Sequence, residues 1–166
     1  VTVKPEGVIE VFSAVQAMGQ GIATTLAQLV VDSFGVSMDK VRIVLGDTDR
    51  GDGFGSAGSR SIFTGGSAVR IGSERTIDAA KQFAADELEV AAGDLSYANA
   101  TFTVTGTDIS IDLFALAAKQ TGRRIFVEST STVAGPSWPN GCHICEVEID
   151  PDTGHVAVVA YSSVND

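Results

Sequence analysis

Twice along this sequence a cluster of glycines stands between a strand-like run and a helix-like run, and that repetition constrains the fold more than any other feature. Gly7 to Val15 reads as a strand. Ile22, Leu26, Leu29, Val30 and Phe34 then follow helical spacing until Gly35 supplies a stop, and Ala17-Met18-Gly19-Gln20-Gly21 lies between the two. The pattern recurs from Lys40 to Leu45, a second strand closed by Gly46-Asp47-Thr48-Asp49. A Gly- and Ser-rich stretch follows and leads into a helix from about Thr64 to Val90, with Ile77, Ala80, Ala84 and Leu88 on one face. Strand, bare turn and helix in alternation predict a mixed β-sheet with helices packed against it.

Beyond Gly93-Asp94 the pattern predicts short strands at Ala100 to Val104 and Asp108 to Ile111, a helix from Asp112 to Gln120 ended by Gly122, and a strand from Arg124 to Thr130. The chain finishes with a hairpin, Cys145 to Asp150 against His155 to Tyr161, whose Pro151-Asp152-Thr153-Gly154 turn places Gly154 at the left-handed position. No internal repeat or linker interrupts this series, so residues 1–166 read as a single domain. Apolar residues make up 44% and charged ones 19%, which excludes a disordered chain, and no apolar run approaches the ~18 residues of a membrane span. Eleven Lys and Arg against 21 Asp and Glu leave a net charge of -10, which repels nucleic acid and anionic membrane surfaces. The first residue is Val and the last stands in strand-like sequence, so the chain reads as a segment of something longer.

The glycines at 19 and 21 have two readings. They make a tight turn, or they let an anion or ring carbonyl approach the unpaired N–H groups of a helix start. Gln20 between them carries a donor and an acceptor, which suits the edge of a heterocycle. A dinucleotide-binding fingerprint needs Gly or Ala at position 24, where Thr stands, and no Gly-Lys-Ser/Thr follows to make a P-loop. Gly55-Ser56-Ala57-Gly58-Ser59-Arg60-Ser61 looks like a second lip of the same kind. Ser59 and Ser61 are candidate donors there, and Arg60 is either a neutralising cation or an ordinary surface residue. Asp47, Asp49 and Asp52 lack the acids an EF-hand would need at 51 and 58, so they read as turn formers. Cys142 and Cys145 spell C-x-x-C, but in a strand their Cα atoms lie about 10 Å apart, beyond the ~7 Å limit of a disulfide. They read as buried, reduced structural thiols, which suits a cytoplasmic location. Neither His143 nor His155 stands in a nucleophile context, so no catalytic apparatus is visible.

Taken in order, "MGQGIATTLAQLVVDSFGV", "KVRIVLGDTD", "GSAGSRSIFTGGSAV" and "PNGCHICEVEIDPDTGHVAVVAYSSVND" resemble the molybdenum-binding subunit of the xanthine dehydrogenase and aldehyde oxidase family, which includes carbon monoxide dehydrogenase large subunits. The resemblance covers nearly the whole chain and is weakest from about Ala91 to Val133. It implies a two-layer α+β fold, a molybdopterin cofactor (often the cytosine dinucleotide form), and a parent enzyme that hydroxylates aldehydes or N-heterocycles with water as oxygen source. It further implies that Gln20 stands near the molybdenum, that Gly21, Ile22, Ala23 and Thr24 contact the pterin or its nucleotide, and that Ala57, Gly58 and Ser59 reach the cofactor from the second loop. The family's catalytic glutamate, in a Gly-Glu-Pro setting, is absent from this sequence. The resemblance therefore implies an inactive segment with little cofactor affinity of its own, whose partners are the rest of the subunit and the iron-sulfur and flavin modules. A non-enzymatic assembly domain and a stand-alone nucleotide-binding module are the competing readings.

Overall fold

A computed structural model describes residues 1–132, 135, 138 and 140–165, which belong to two compact units, Val1–Thr132 and Val133–Asp166. The first contains β1 (Thr2–Lys4), β2 (Val8–Ser13), α1 (Ile22–Phe34), β3 (Val41–Leu45), α2 (Ser67–Leu88), β4 (Leu95–Ala98), β5 (Thr101–Val104), β6 (Ser110–Asp112), α3 (Leu113–Lys119) and β7 (Ile125–Phe126). Four strands form one sheet in the order β3-β2-β1-β7. Within it β2 and β3 are parallel and the other neighbours antiparallel, so the sheet is mixed as the sequence predicts. β4, β5 and β6 make a separate antiparallel sheet.

α1 forms because Leu26, Val30 and Phe34 recur at intervals of four and present one stripe, and all three are fully buried. Each such side chain contributes about 1.5–3 kcal/mol on leaving water. Gly35 ends the helix in the left-handed conformation, φ 65°, and a Cβ there would come within 3.0 Å of the Asn99 backbone, so only glycine serves. On β2 the alternation turns Ile9, Val11 and Ser13 toward this core and leaves Glu10 and Phe12 on the other face. In α2 the buried Ser73 and Thr76 satisfy their hydroxyls on the carbonyls of Val69 and Gly72, at 2.9 and 2.6 Å. α3 is capped by Asp112, whose Oδ1 accepts the N–H groups of Phe114 and Ala115 at 2.8 and 3.0 Å.

The structure adjusts several expectations: the first strand ends at Ser13 and β6 begins at Ser110. α2 begins at Ser67, behind one wide π-type turn over Ser61–Gly66. The strand expected from Arg124 to Thr130 shrinks to Ile125–Phe126, because Ser129 leaves the sheet and its hydroxyl donates to the Ala68 carbonyl at 3.0 Å. β1 and β4 are additional strands, three and four residues long. Among the described residues no helix is long and apolar enough to cross a membrane.

The second unit is an antiparallel hairpin, β8 (Gly141–Ile149) against β9 (Val156–Asn165), longer on both sides than the alternation indicates. Its turn is as expected, with Gly154 at φ 71° and Asp150 Oδ1 accepting the N–H groups of Asp152 and Thr153. Pro139 and Asp166, within the last of the four motifs, lie outside the described residues. Cys142 and Cys145 are unpaired as predicted, but both are exposed rather than buried. Alternation identified their strand correctly. It carried no information about a covering layer, and a two-stranded ribbon has none of its own.

Candidate functional site

Because β2 and β3 run parallel, the loops that follow them, residues 14–21 and 46–60, leave the sheet at the same edge, the carboxyl ends of the strands. Open α/β sheets bind ligands in that position. The two loops are joined directly. The Gln16 N–H donates to Ser56 Oγ at 2.8 Å, the Ser56 hydroxyl donates back to the Gln16 carbonyl at 3.1 Å, and the Ser61 hydroxyl donates to Ser56 Oγ at 2.8 Å.

The second loop also runs along the strand that precedes the first. Arg50 meets Glu10, Gly51 packs on Phe12, Gly53 on Ala14, and Gly55 on Gln16. Alternate residues from Glu10 on β2 to Gln16 in the first loop are thus covered, and the glycines permit the close approach: a Cβ on Gly53 would fall 2.2 Å from that of Ala14. Gly65, in the π-type turn, is equally confined, with Val15 Cγ1 2.7 Å from where its Cβ would be. These glycines serve the packing of the chain on itself.

The glycines singled out from the sequence behave differently. Gly19, Gly21 and Gly58 have φ of 90°, 75° and 61°, and a Cβ on any of them would meet nothing within 4 Å. They are required by conformation, and the space beside them is open. Ser59 adopts φ 56° without being glycine, a strained choice worth about 1 kcal/mol or more. Gly21 is the N-cap of α1 with no side-chain capping bond, and no acid stands in the first turn, so the positive end of the helix is left without an internal counter-charge. Ile22 directs its side chain into the core, which leaves only its backbone for a ligand, while Gln20 and Thr24 are exposed and Ala23 half-buried. Gln20 bridges its own loop: Nε2 donates to the Gln16 carbonyl at 2.8 Å and Oε1 accepts the Met18 N–H at 2.6 Å. One N–H and one lone pair of the amide are left over. Ala57, Gly58 and Ser59 follow Ser56 on the exposed rim.

Beside this rim lies a cavity of about 860 Å³, lined by residues from both faces of β2 and by the second loop, Phe12, Ser13, Arg50, Phe54, Arg60 and Phe126 among them. None of the eight residues from Gln20 to Ser59 named above lines it. Arg60 stacks on Phe54, its guanidinium 3.8 Å from the ring centre. Glu10 is 5% exposed at the wall, with Arg50 Nη1 at 2.7 Å, Lys4 Nζ at 3.0 Å and Arg42 Nη1 at 3.6 Å. Burial pushes its carboxyl up, but the hydrogen bonds from Arg50 and Lys4 outweigh that and hold its pKa below the ordinary 4.5. Asp47 accepts the Asp49 N–H and pairs with Arg50 Nε at 2.9 Å, in keeping with a turn former. No group of three or more His, Cys, Asp or Glu suited to a metal ion occurs among the described residues. Sequence reasoning missed Gln16, Ser56, Glu10 and Arg50. An acid inside an otherwise apolar strand was the one local sign, at Glu10.

The two loops thus present left-handed, exposed backbone at one end of the sheet. A family model described as the molybdopterin cofactor-binding domain matches residues 1–166, and the chain belongs to that family. It is 31% identical, over 98% of its length, to the 6-hydroxypseudooxynicotine dehydrogenase complex subunit gamma of Paenarthrobacter nicotinovorans, of which it covers 22%. It is 30% identical over 89% of its length to the carbon monoxide dehydrogenase large chain of Hydrogenophaga pseudoflava, covering 20% of that chain. Its fold matches the reconstituted CO dehydrogenase from Oligotropha carboxidovorans with a TM-score of 0.80, at 27% identity over 98% of this chain and 21% of that one. The chain thus spans about a fifth of the length of the relatives it matches. The α+β fold inferred from the resemblance is that of the carbon monoxide dehydrogenase domain.

Proposed function

We propose that residues 1–166 act as one domain within the large subunit of a molybdenum hydroxylase, and that loops 17–24 and 55–61 together form part of the wall against which the molybdenum cofactor rests. The observation that carries this reading is the Gln16–Ser56 junction, which brings both loops to one edge of the sheet. The residues fit such a group. The uncapped start of α1 and the left-handed backbone at Gly58 and Ser59 offer N–H donors beside open space, which suits the phosphates of an anionic cofactor.

In this reading the backbone N–H groups of Gly21, Ile22, Ala23 and Thr24 hold the cofactor from one side, and those of Ala57, Gly58 and Ser59 hold it from the other. Gln20 donates the N–H that its own loop leaves free toward the metal end. A molybdopterin bound there, in the cytosine dinucleotide form, supplies the oxidising centre of a hydroxylation that draws its oxygen from water, on an aldehyde or N-heterocycle. The catalytic glutamate comes from outside these residues, so the segment alone is inactive. It retains little cofactor, because a site divided among several segments loses the preorganisation that makes binding tight. Iron-sulfur and flavin partners carry the electrons onward, in the cytoplasm.

Molybdenum analysis and pterin fluorescence on the intact subunit and on the 166-residue segment test this. Stoichiometric metal and pterin in the intact subunit and none in the segment are expected. An intact subunit free of both contradicts the proposal, and tight retention by the segment contradicts the divided site.

A further inference from the structure

Glu10 does not touch the rim, yet among the described residues it is the one buried charge on the sheet face against which the second loop lies. Arg50 spans 40 residues to reach it, and the same guanidinium bonds Asp47 at the start of the loop. From Arg50 the chain runs through Gly51 on Phe12 and Gly53 on Ala14 to Ser56 on Gln16. Glycine is flexible, and with Gly51, Gly53 and Gly55 in so short a stretch this segment has little stiffness of its own. Its course is fixed at the two ends, by the ion pair and by the serine.

We infer that Glu10 and Arg50 are positioning residues, a latch that holds the segment from Arg50 to Ser56 along β2 and thereby sets where the Ala57-Gly58-Ser59 rim stands. This rests on the reading of that rim as part of a cofactor wall. The ion pair is suited to the task because both partners are held: Glu10 by Lys4 and Arg42 as well, Arg50 by Asp47. Neutralising Glu10 leaves Arg50 without its buried partner and frees one end of the segment. Arg50→Gln breaks the pair from the other side, at a residue whose side chain is 40% exposed, and leaves the Glu10 carboxylate held by Lys4 and Arg42.

The test is hydrogen–deuterium exchange of the intact subunit, with pterin content measured on the same preparations. In Glu10→Gln and in Arg50→Gln, the amides at the two ends of the segment, that of residue 50 on the Asp47 carbonyl and that of Gln16 on Ser56 Oγ, are expected to exchange at least tenfold faster while those of Leu26–Val30 are unchanged. The double variant should be no faster than either single one, and Arg50→Lys, which keeps the charge but cannot bridge two carboxylates with a planar fork, should be intermediate. Retained pterin should fall in step with the loosened loop. Unchanged exchange at residue 50 and Gln16, a rise spread equally over α1, or variants that keep the full wild-type pterin complement would overturn the inference. A wild-type subunit without pterin would instead sink the reading of the rim, and the exchange data would still decide whether the latch exists.

Discussion

Gln16 and Ser56, 40 residues apart, hold each other by two hydrogen bonds: the Gln16 N–H donates to Ser56 Oγ and the Ser56 hydroxyl returns to the Gln16 carbonyl. The same carbonyl accepts Gln20 Nε2, so Gln20 in the first loop and Ser61 beyond the second are linked through this pair. Ser56→Ala removes the junction and should lower stability by about 1–2 kcal/mol, since each net hydrogen bond contributes ~1 kcal/mol. Urea denaturation measures the loss. Ser56→Thr keeps the hydroxyl and should retain most of it.

The two kinds of glycine should respond differently to a methyl group. Gly53→Ala forces a Cβ to 2.2 Å from that of Ala14, and overpacking of this kind costs about 1–3 kcal/mol. Gly58→Ala meets no neighbour and should cost only the strain of a left-handed alanine, roughly 1 kcal/mol. Combining Gly53→Ala with Ala14→Gly should recover stability that neither change alone permits, as read from denaturation midpoints.

Acid should weaken the latch with a definite sign. The folded pKa of Glu10 lies below its ordinary 4.5, so its contribution is fully present above that value and is lost as pH falls through the lower folded pKa. Wild-type stability should therefore drop more steeply than that of Glu10→Gln as pH is taken from 6 down to 3 in urea titrations. Parallel curves would mean that Glu10 makes no such contribution.

Gln20→Ala removes two loop bonds on an exposed turn and should change stability by no more than about 1 kcal/mol. If Gln20 also faces the cofactor, the loss of pterin and molybdenum from the intact subunit should far exceed that small effect. Metal content and melting temperature of the same preparation separate the two.

Much of the fold was legible because its signals are local. The spacing of Leu26, Val30 and Phe34 and the stop at Gly35 give α1 to the residue, and Pro151 to Gly154 give the hairpin turn. β1 and β4 were not read from the sequence, although β5 and β6, which are as short, were, and neither was the π-type turn, which has the composition of a loop. At the site the two glycine-rich turns could be picked out in sequence, but not the conformation or exposure of any one glycine within them. Their relation to each other could not, because it depends on Ser56 meeting Gln16 and on Arg50 meeting Glu10, each across 40 residues. Local pattern also could not separate Gly53, which is packed against Ala14, from Gly58, which faces open space.

The most direct test of the account is a structure of the intact subunit with its cofactor in place. Backbone N–H groups from the start of α1 and from Ala57 to Ser59 should both lie within about 3.2 Å of cofactor oxygens, with the Gln16–Ser56 junction unbroken between them. A cofactor bound elsewhere, with both loops turned to solvent or covered by aliphatic side chains, would contradict it.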